Sequence, residues 1–197
     1  MAVDKRYVEE VKDENEYDKI MEELGLEGSF KQSGNGLDLD EYLVTNLRDM
    51  YAGDDYYGKP VITDIYTTEF TNKTTGETTV NHKVDLVLLN DDYDDEKEAY
   101  IFTCNLNKPE NINLDKGIVK DVYSSSGLYA LAMGLADLKS KGISKCFNHL
   151  DAVSIKRLQK QVKTYERMTV TVIEKKMVDR QTKEEKFYNA FRIIEAE

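Results

Sequence analysis

The sequence predicts an α+β fold in which an N-terminal helical extension precedes three strands, a helical connection and two closing strands. Three observations predict it. Residues 61–107 hold three runs rich in β-branched and aromatic side chains, separated by a glycine-containing turn and an acidic loop. Residues 124–139 set leucines at helical spacing. Near the C-terminus, residues 168–173 alternate sides at strand spacing and 187–194 are β-branched and aromatic, and the charged insert 178–186 between them makes the pair a long hairpin.

The extension comes first. Val3, Tyr7, Val8 and Val11, then Tyr17, Ile20, Met21 and Leu24, recur at helical intervals. A second helix is expected over 39–50 (LDEYLVTNLRDM), with Asp38 as its cap and Gly53 beyond its end. Residues 52–59 read as a turn-rich connector, and Pro60 opens the first strand. These boundaries give an acidic helical extension over 1–58 and a second domain over 59–197.

In that domain the strands are expected at 61–72, 78–90 and 99–107, with 73–77 (KTTGE) as a hairpin turn and 91–98 as a solvated acidic loop. Residues 108–117 read as loop. A helical insertion is expected at about 118–165. Its first helix, 124–139, is capped by serine and striped by Leu128, Leu131, Leu135 and Leu138; the rest is a mostly helical stretch over 143–165. Gly127 and Gly134 weaken the first helix by about 1 kcal/mol each relative to alanine, so close packing is expected there. The hairpin strands are 167–177 and 187–194.

The chain has 197 residues and a net charge of −11, unevenly spread. Residues 1–58 carry −10, residues 59–149 carry −4 and residues 150–197 carry +3. Within 154–192 there are eleven lysines and arginines against five acids, so the hairpin region is cationic on an acidic protein. No apolar run is long enough for a membrane span and no apolar signal core stands at the N-terminus, so a soluble cytoplasmic protein is expected. Cys104 and Cys146 are expected to be small core residues rather than a disulfide or a zinc site, and no metal or cofactor is implied. His82 and His149 read as packed side chains. The 91–96 cluster (DDYDDE) lacks the glycine and spacing of a calcium loop. No phosphate loop, nucleophile elbow or cysteine pair appears, so no enzyme is expected.

Three strands, a helical connection and two strands is the order of the OB-fold, a small five-stranded barrel that takes oligonucleotides. The third strand with its following helix (AYIFTCNLN…SSSGLYALAMGL) and the ending RMTVTVIEKK…KFYNAFRII together resemble the single-stranded DNA-binding proteins encoded by phages and conjugative elements of Gram-positive bacteria, over roughly residues 59–195. The resemblance implies a sequence-tolerant single-stranded DNA-binding protein acting in replication or recombination of a phage or mobile element. Replication or recombination proteins and further copies of the chain are its candidate partners, and a membrane is not. Such binding needs a cationic path for phosphates and aromatic faces for bases. On an OB-like barrel those roles fall to Tyr66, Phe70, Lys83, Tyr100, Phe102, Arg167, Tyr188 and Arg192, with Lys175, Lys176, Arg180, Lys183 and Lys186 as a finger closing over the strand. Phe102 and Phe191 are the rings first expected in the core instead. Two other readings stand beside this one. An acidic inhibitor or DNA mimic would use the negative N-terminal region against a host nucleic-acid enzyme, and a metal-dependent nuclease would use the aspartate cluster.

Overall fold

The computed structural model describes residues 28–34, 36–92, 96–106, 108–140, 148–178 and 183–197. Among these, β structure dominates. The strands are β1 (Gly28–Gln32), β2 (Tyr42–Asn46), β3 (Asp55–Ile62), β4 (Tyr66–Asn72), β5 (Thr78–Asn90), β6 (Lys97–Leu106), β7 (Ile112–Asn113), β8 (Ile118–Tyr123), β9 (His149–Ser154), β10 (Met168–Val178) and β11 (Glu185–Ala196). The helices are α1 (Gly127–Ser140) and α2 (Ile155–Val162), with single 3-10 turns at Leu47–Asp49 and Pro109–Asn111. No helix among the described residues is long and apolar enough to cross a membrane.

Two compact units can be separated. Among the described residues the smaller comprises 28–33 and 67–80, where β1 runs antiparallel to β4 with Phe30 opposite Phe70. Its turn is held by Asn72, whose Oδ1 accepts from the amides of Thr74 at 2.8 Å and Thr75 at 3.0 Å, and by Gly76 at φ +70°.

The larger unit, residues 34–66 and 81–197, contains the main sheet, with strands in the order β6-β5-β3-β10-β11. β2 adds in parallel to the outer edge of β6 at Lys97–Ile101. β3 changes partner along its length: Asp55–Gly58 pair with β10 and Lys59–Ile62 with β5. Pro60 is thereby tolerated in a half-strand with a partner on one side only. One face of the sheet supplies the core. Val84, Leu86 and Leu88 of β5, Phe102 and Cys104 of β6, and Met168, Val170 and Val172 of β10 are buried against Leu128, Leu131 and Leu135 of α1. α1 lies close to two strands because glycine is used at both crossings. A Cβ on Gly127 would stand 3.3 Å from Cys104 Cα, and one on Gly134 would stand 3.0 Å from Ile193 Cδ1.

The structure corrects the expected fold class in three ways. The α+β five-stranded OB-like barrel with an N-terminal helical extension is replaced by open, mixed sheets with only two α-helices among the described residues. Among the described residues β11 pairs with β10 alone, β6 pairs with β5 and β2, and no pairing joins β6 to β11, so they show no closed barrel.

The helix expected over 39–50 is instead β2 and a 3-10 turn. Its apparent helical period is outweighed by the chance to pair backbone with β6, and Val44 and Thr45 suit a strand. The register is secured by Lys97, whose Nζ lies 2.9 Å from Glu41 Oε2 and 5.7 Å from the centre of the Tyr42 ring. The helix expected over 3–24 lies outside the described residues.

Finally, the insertion expected to be helical holds a second sheet, β7-β8-β9. Val119, Val122 and Val153 bury against the core from these strands, and the only helix in the stretch after β9 has eight residues. Ser154 caps it, its Oγ accepting from the Arg157 amide at 3.4 Å.

Candidate nucleic-acid groove

The seam that β6 and β11 leave open is a groove. Beyond Ile101 the outer edge of β6 has no partner strand among the described residues, and the N-terminus of α1 packs there through Gly127. Thr103 and Asn105 of β6, Ser125 and Ser126 ahead of α1, and Lys175, Tyr188 and Asn189 of the hairpin line one stretch of it. Asn105, Ser125 and Ser126 also line a second stretch, which continues past Lys108, Asn111, Lys120, Asp121 and Tyr123. The two stretches therefore adjoin, sharing Asn105, Ser125 and Ser126 on the same unit.

Its walls are fixed by identifiable bonds. Ser126 Oγ donates to the Tyr123 carbonyl at 2.9 Å and accepts from the Tyr129 amide at 3.2 Å, so it both caps α1 and ties it to β8. Asn189 Nδ2 donates to the carbonyls of Leu47 at 2.9 Å and Met50 at 2.7 Å, which anchors β11 to the 3-10 turn after β2. Tyr123 at one end and Tyr188 at the other are both well exposed, at 50% and 43%. Lys108 Nζ stands 5.5 Å from the centre of the Tyr123 ring. The charged side chains lining the path are three lysines, Lys108, Lys120 and Lys175, and one acid, Asp121. The positive end of the α1 dipole opens onto the same place.

The sequence-predicted site residues divide sharply. Lys175 and Tyr188 are direct cross-strand partners and share the groove. Lys83 is the cross-strand partner of Asn105 on the groove's floor strand. Arg192 is exposed, opposite Thr171, one strand repeat beyond Ala190 from Tyr188. Lys176, Lys183 and Lys186 are exposed on the outer half of the hairpin, where Lys176 pairs with Glu185; Arg180 lies outside the described residues.

The remaining residues have other partners. Tyr66 is buried and its hydroxyl donates to Asp85 Oδ2 at 2.8 Å; burial, followed by that carboxylate, drives the phenol well above its ordinary range. Tyr100 is half-buried, donates to Glu98 and meets Tyr56 edge-on at 4.9 Å, with its phenol likewise raised by burial and then by Glu98. Phe102 is fully buried against Phe191, ring centres 5.4 Å apart. Arg167 lies over the Tyr57 ring at 4.1 Å and pairs with Asp92 at 3.4 Å. Phe70 is half-buried and belongs to the smaller unit.

Sequence reading missed Lys108, Lys120, Tyr123 and His149. Lys120 and Tyr123 lie on β8 and His149 on β9, within the stretch expected to be helical, so their outward side chains had no assigned face; Lys108 falls in the expected loop, and His149 reads in sequence only as a packed side chain. The signal was present in IVKDVY, where Val119 and Val122 turn inward and Lys120 and Tyr123 outward. The expected residues 91–96 cluster includes three positions outside the described residues, and no group of three or more metal-ligating side chains occurs among those described. No protein-family model, curated protein or solved structure significantly matches the chain.

Proposed function

We propose that this chain binds single-stranded DNA with little sequence preference, in the cytoplasm, during replication or recombination of a phage or mobile element, and that it is not an enzyme. The observation that supports this most is the groove: three lysines against one aspartate, with an exposed tyrosine at each end, on a chain of net charge −11. A cationic path interrupted by open rings is what an unpaired strand requires, since phosphates follow the lysines and splayed bases stack on the rings. A duplex offers no free base faces to those tyrosines. The biological setting follows from the sequence resemblance, and replication or recombination proteins are the proposed partners.

The test is a titration of the protein with oligo(dT), oligo(U) and duplex DNA, followed by tyrosine fluorescence. Oligo(dT) should quench the signal and bind more tightly than duplex, with affinity falling as salt rises. Tyr188→Ala should weaken binding by roughly 5- to 150-fold, the equivalent of about 1–3 kcal/mol for one stacked base, with the fold unchanged because the ring is exposed. Absence of any oligonucleotide binding, together with capture of a basic nucleic-acid enzyme, would overturn the proposal in favour of an acidic mimic.

A further inference from the structure

The groove's β8 end contains a feature that works against phosphate binding. Asp121 stands on its rim beside Lys120, and its backbone is held at φ +51°, a left-handed conformation in the middle of a strand. The residue interrupts the pairing of β8 with β9, between Lys120↔Ala152 and Val122↔Leu150. Such a conformation is uncommon outside glycine and persists where the surroundings support it. Here His149 helps impose it: Nε2 lies 3.3 Å from Asp121 Oδ1, while Nδ1 lies 3.5 Å from Asp151 Oδ1. The same imidazole lies against Tyr123, ring centres 5.1 Å apart. One histidine thus fixes both a carboxylate and an exposed ring at the mouth of a pocket floored by Leu106, Val119, Val122 and Leu128.

An apolar floor, a stacking ring and a fixed polar edge are the parts of a nucleobase site, and a carboxylate is the one neutral-pH side chain that only accepts hydrogen bonds. It favours a base edge that presents donors and penalises one that presents acceptors. Guanine alone offers two adjacent donors there, its ring N1–H and its exocyclic amino group; adenine, cytosine and thymine offer one each. We infer that this pocket holds a single nucleobase stacked on Tyr123, read by Asp121, and that it favours guanine. Lys108 and Lys120 then meet the flanking phosphates. The inference rests on the proposed single-strand binding and adds a base preference at one position of an otherwise tolerant path.

The experiment compares three labelled strands by fluorescence anisotropy: oligo(dT), the same strand with one central guanine, and the same strand with inosine, which lacks the exocyclic amino group. The guanine strand should bind about tenfold more tightly than oligo(dT), within the range for a good two-point base contact, and inosine should fall between them. Asp121→Asn keeps a residue suited to left-handed backbone while adding a donor at the reading edge. That variant should retain its thermal stability and show less than about a twofold guanine preference, read as the ratio of its affinities for the guanine strand and oligo(dT). Equal affinities for all three strands in the parent chain would overturn the base site while leaving strand binding intact. A guanine preference that survives in Asp121→Asn would overturn it too. Failure of every strand to bind would instead remove the single-strand reading on which it rests.

Discussion

Replacing Lys175 with glutamine tests the groove through salt. Lys175 is half-buried, next to Tyr188, and the mutation removes one charge without removing the stem that packs there. Each phosphate neutralised on a single strand contributes a slope of about −0.7 to the logarithmic dependence of affinity on salt. Lys108, Lys120 and Lys175 therefore give the groove a slope of about −2, so affinity should fall roughly twentyfold between about 50 and about 200 mM salt. Lys175→Gln should lower the slope to about −1.4, and the loss over the same interval to roughly sevenfold. Anisotropy titrations of labelled oligo(dT) at several salt concentrations read both numbers. A parent slope near zero would show that the groove takes no phosphates. An unchanged slope in Lys175→Gln would place the strand elsewhere, and a parent slope much steeper than −2 would bring in the outer hairpin lysines.

Two further predictions address the scaffold. Gly58→Ala should destabilise the protein by about 1–3 kcal/mol in urea unfolding, because its Cβ would stand 2.6 Å from the carbonyl oxygen and 2.8 Å from the carbonyl carbon of Leu89, backbone atoms that cannot swing aside. Gly34→Ala, with nothing within 4 Å, is the neutral control, and equal midpoints for the two variants would refute the argument. Asp85 is buried, with its carboxyl raised above the ordinary range chiefly by loss of solvent, and its Oδ1 has no hydrogen-bond partner. The folded state therefore holds this proton more tightly than the unfolded chain does, so stability should fall as pH rises from about 4 through the raised value. Asp85→Asn keeps an acceptor for Tyr66 and should flatten that fall. A variant with the parent's pH dependence and a uniform loss of stability would refute it.

The legible parts of this chain were those whose side-chain pattern and backbone partner agreed. The runs around Val84–Leu88 and Tyr100–Leu106 alternate in sequence and pair with each other in the structure, and α1 shows its leucine stripe because one face meets the sheet. The 39–50 segment failed for the opposite reason. Its backbone is satisfied by an edge more than fifty residues away, and no local pattern announces a parallel partner. For the site, Lys175 and Tyr188 were readable because a hairpin sets cross-strand neighbours through its own register. Tyr123, Lys108 and His149 come together only through β8, β9 and the end of β6, so spacing along the chain carries no trace of their meeting. Tyr66 and Tyr100 were misplaced for a chemical reason: each has a carboxylate to satisfy its hydroxyl, which lets a polar ring remain inside.

The open seam and the groove have one structural cause. Had β11 paired with the outer edge of β6, the backbone groups of residues 102–106 would have been consumed by a ladder, and Thr103 and Asn105 would have faced a neighbouring strand. Instead Asn189 spends its amide on the carbonyls of Leu47 and Met50, holding β11 against the turn after β2, while Gly127 lets α1 approach Cys104 closely. The gap is thus propped at both ends by specific contacts. Polar floor atoms, a helix N-terminus and the lysines of two separate sheets converge on it, which gives a local positive path to a molecule of opposite overall sign. At physiological salt, charges interact over about 8 Å, so affinity for a strand in this path depends on the lysines lining it far more than on distant acids.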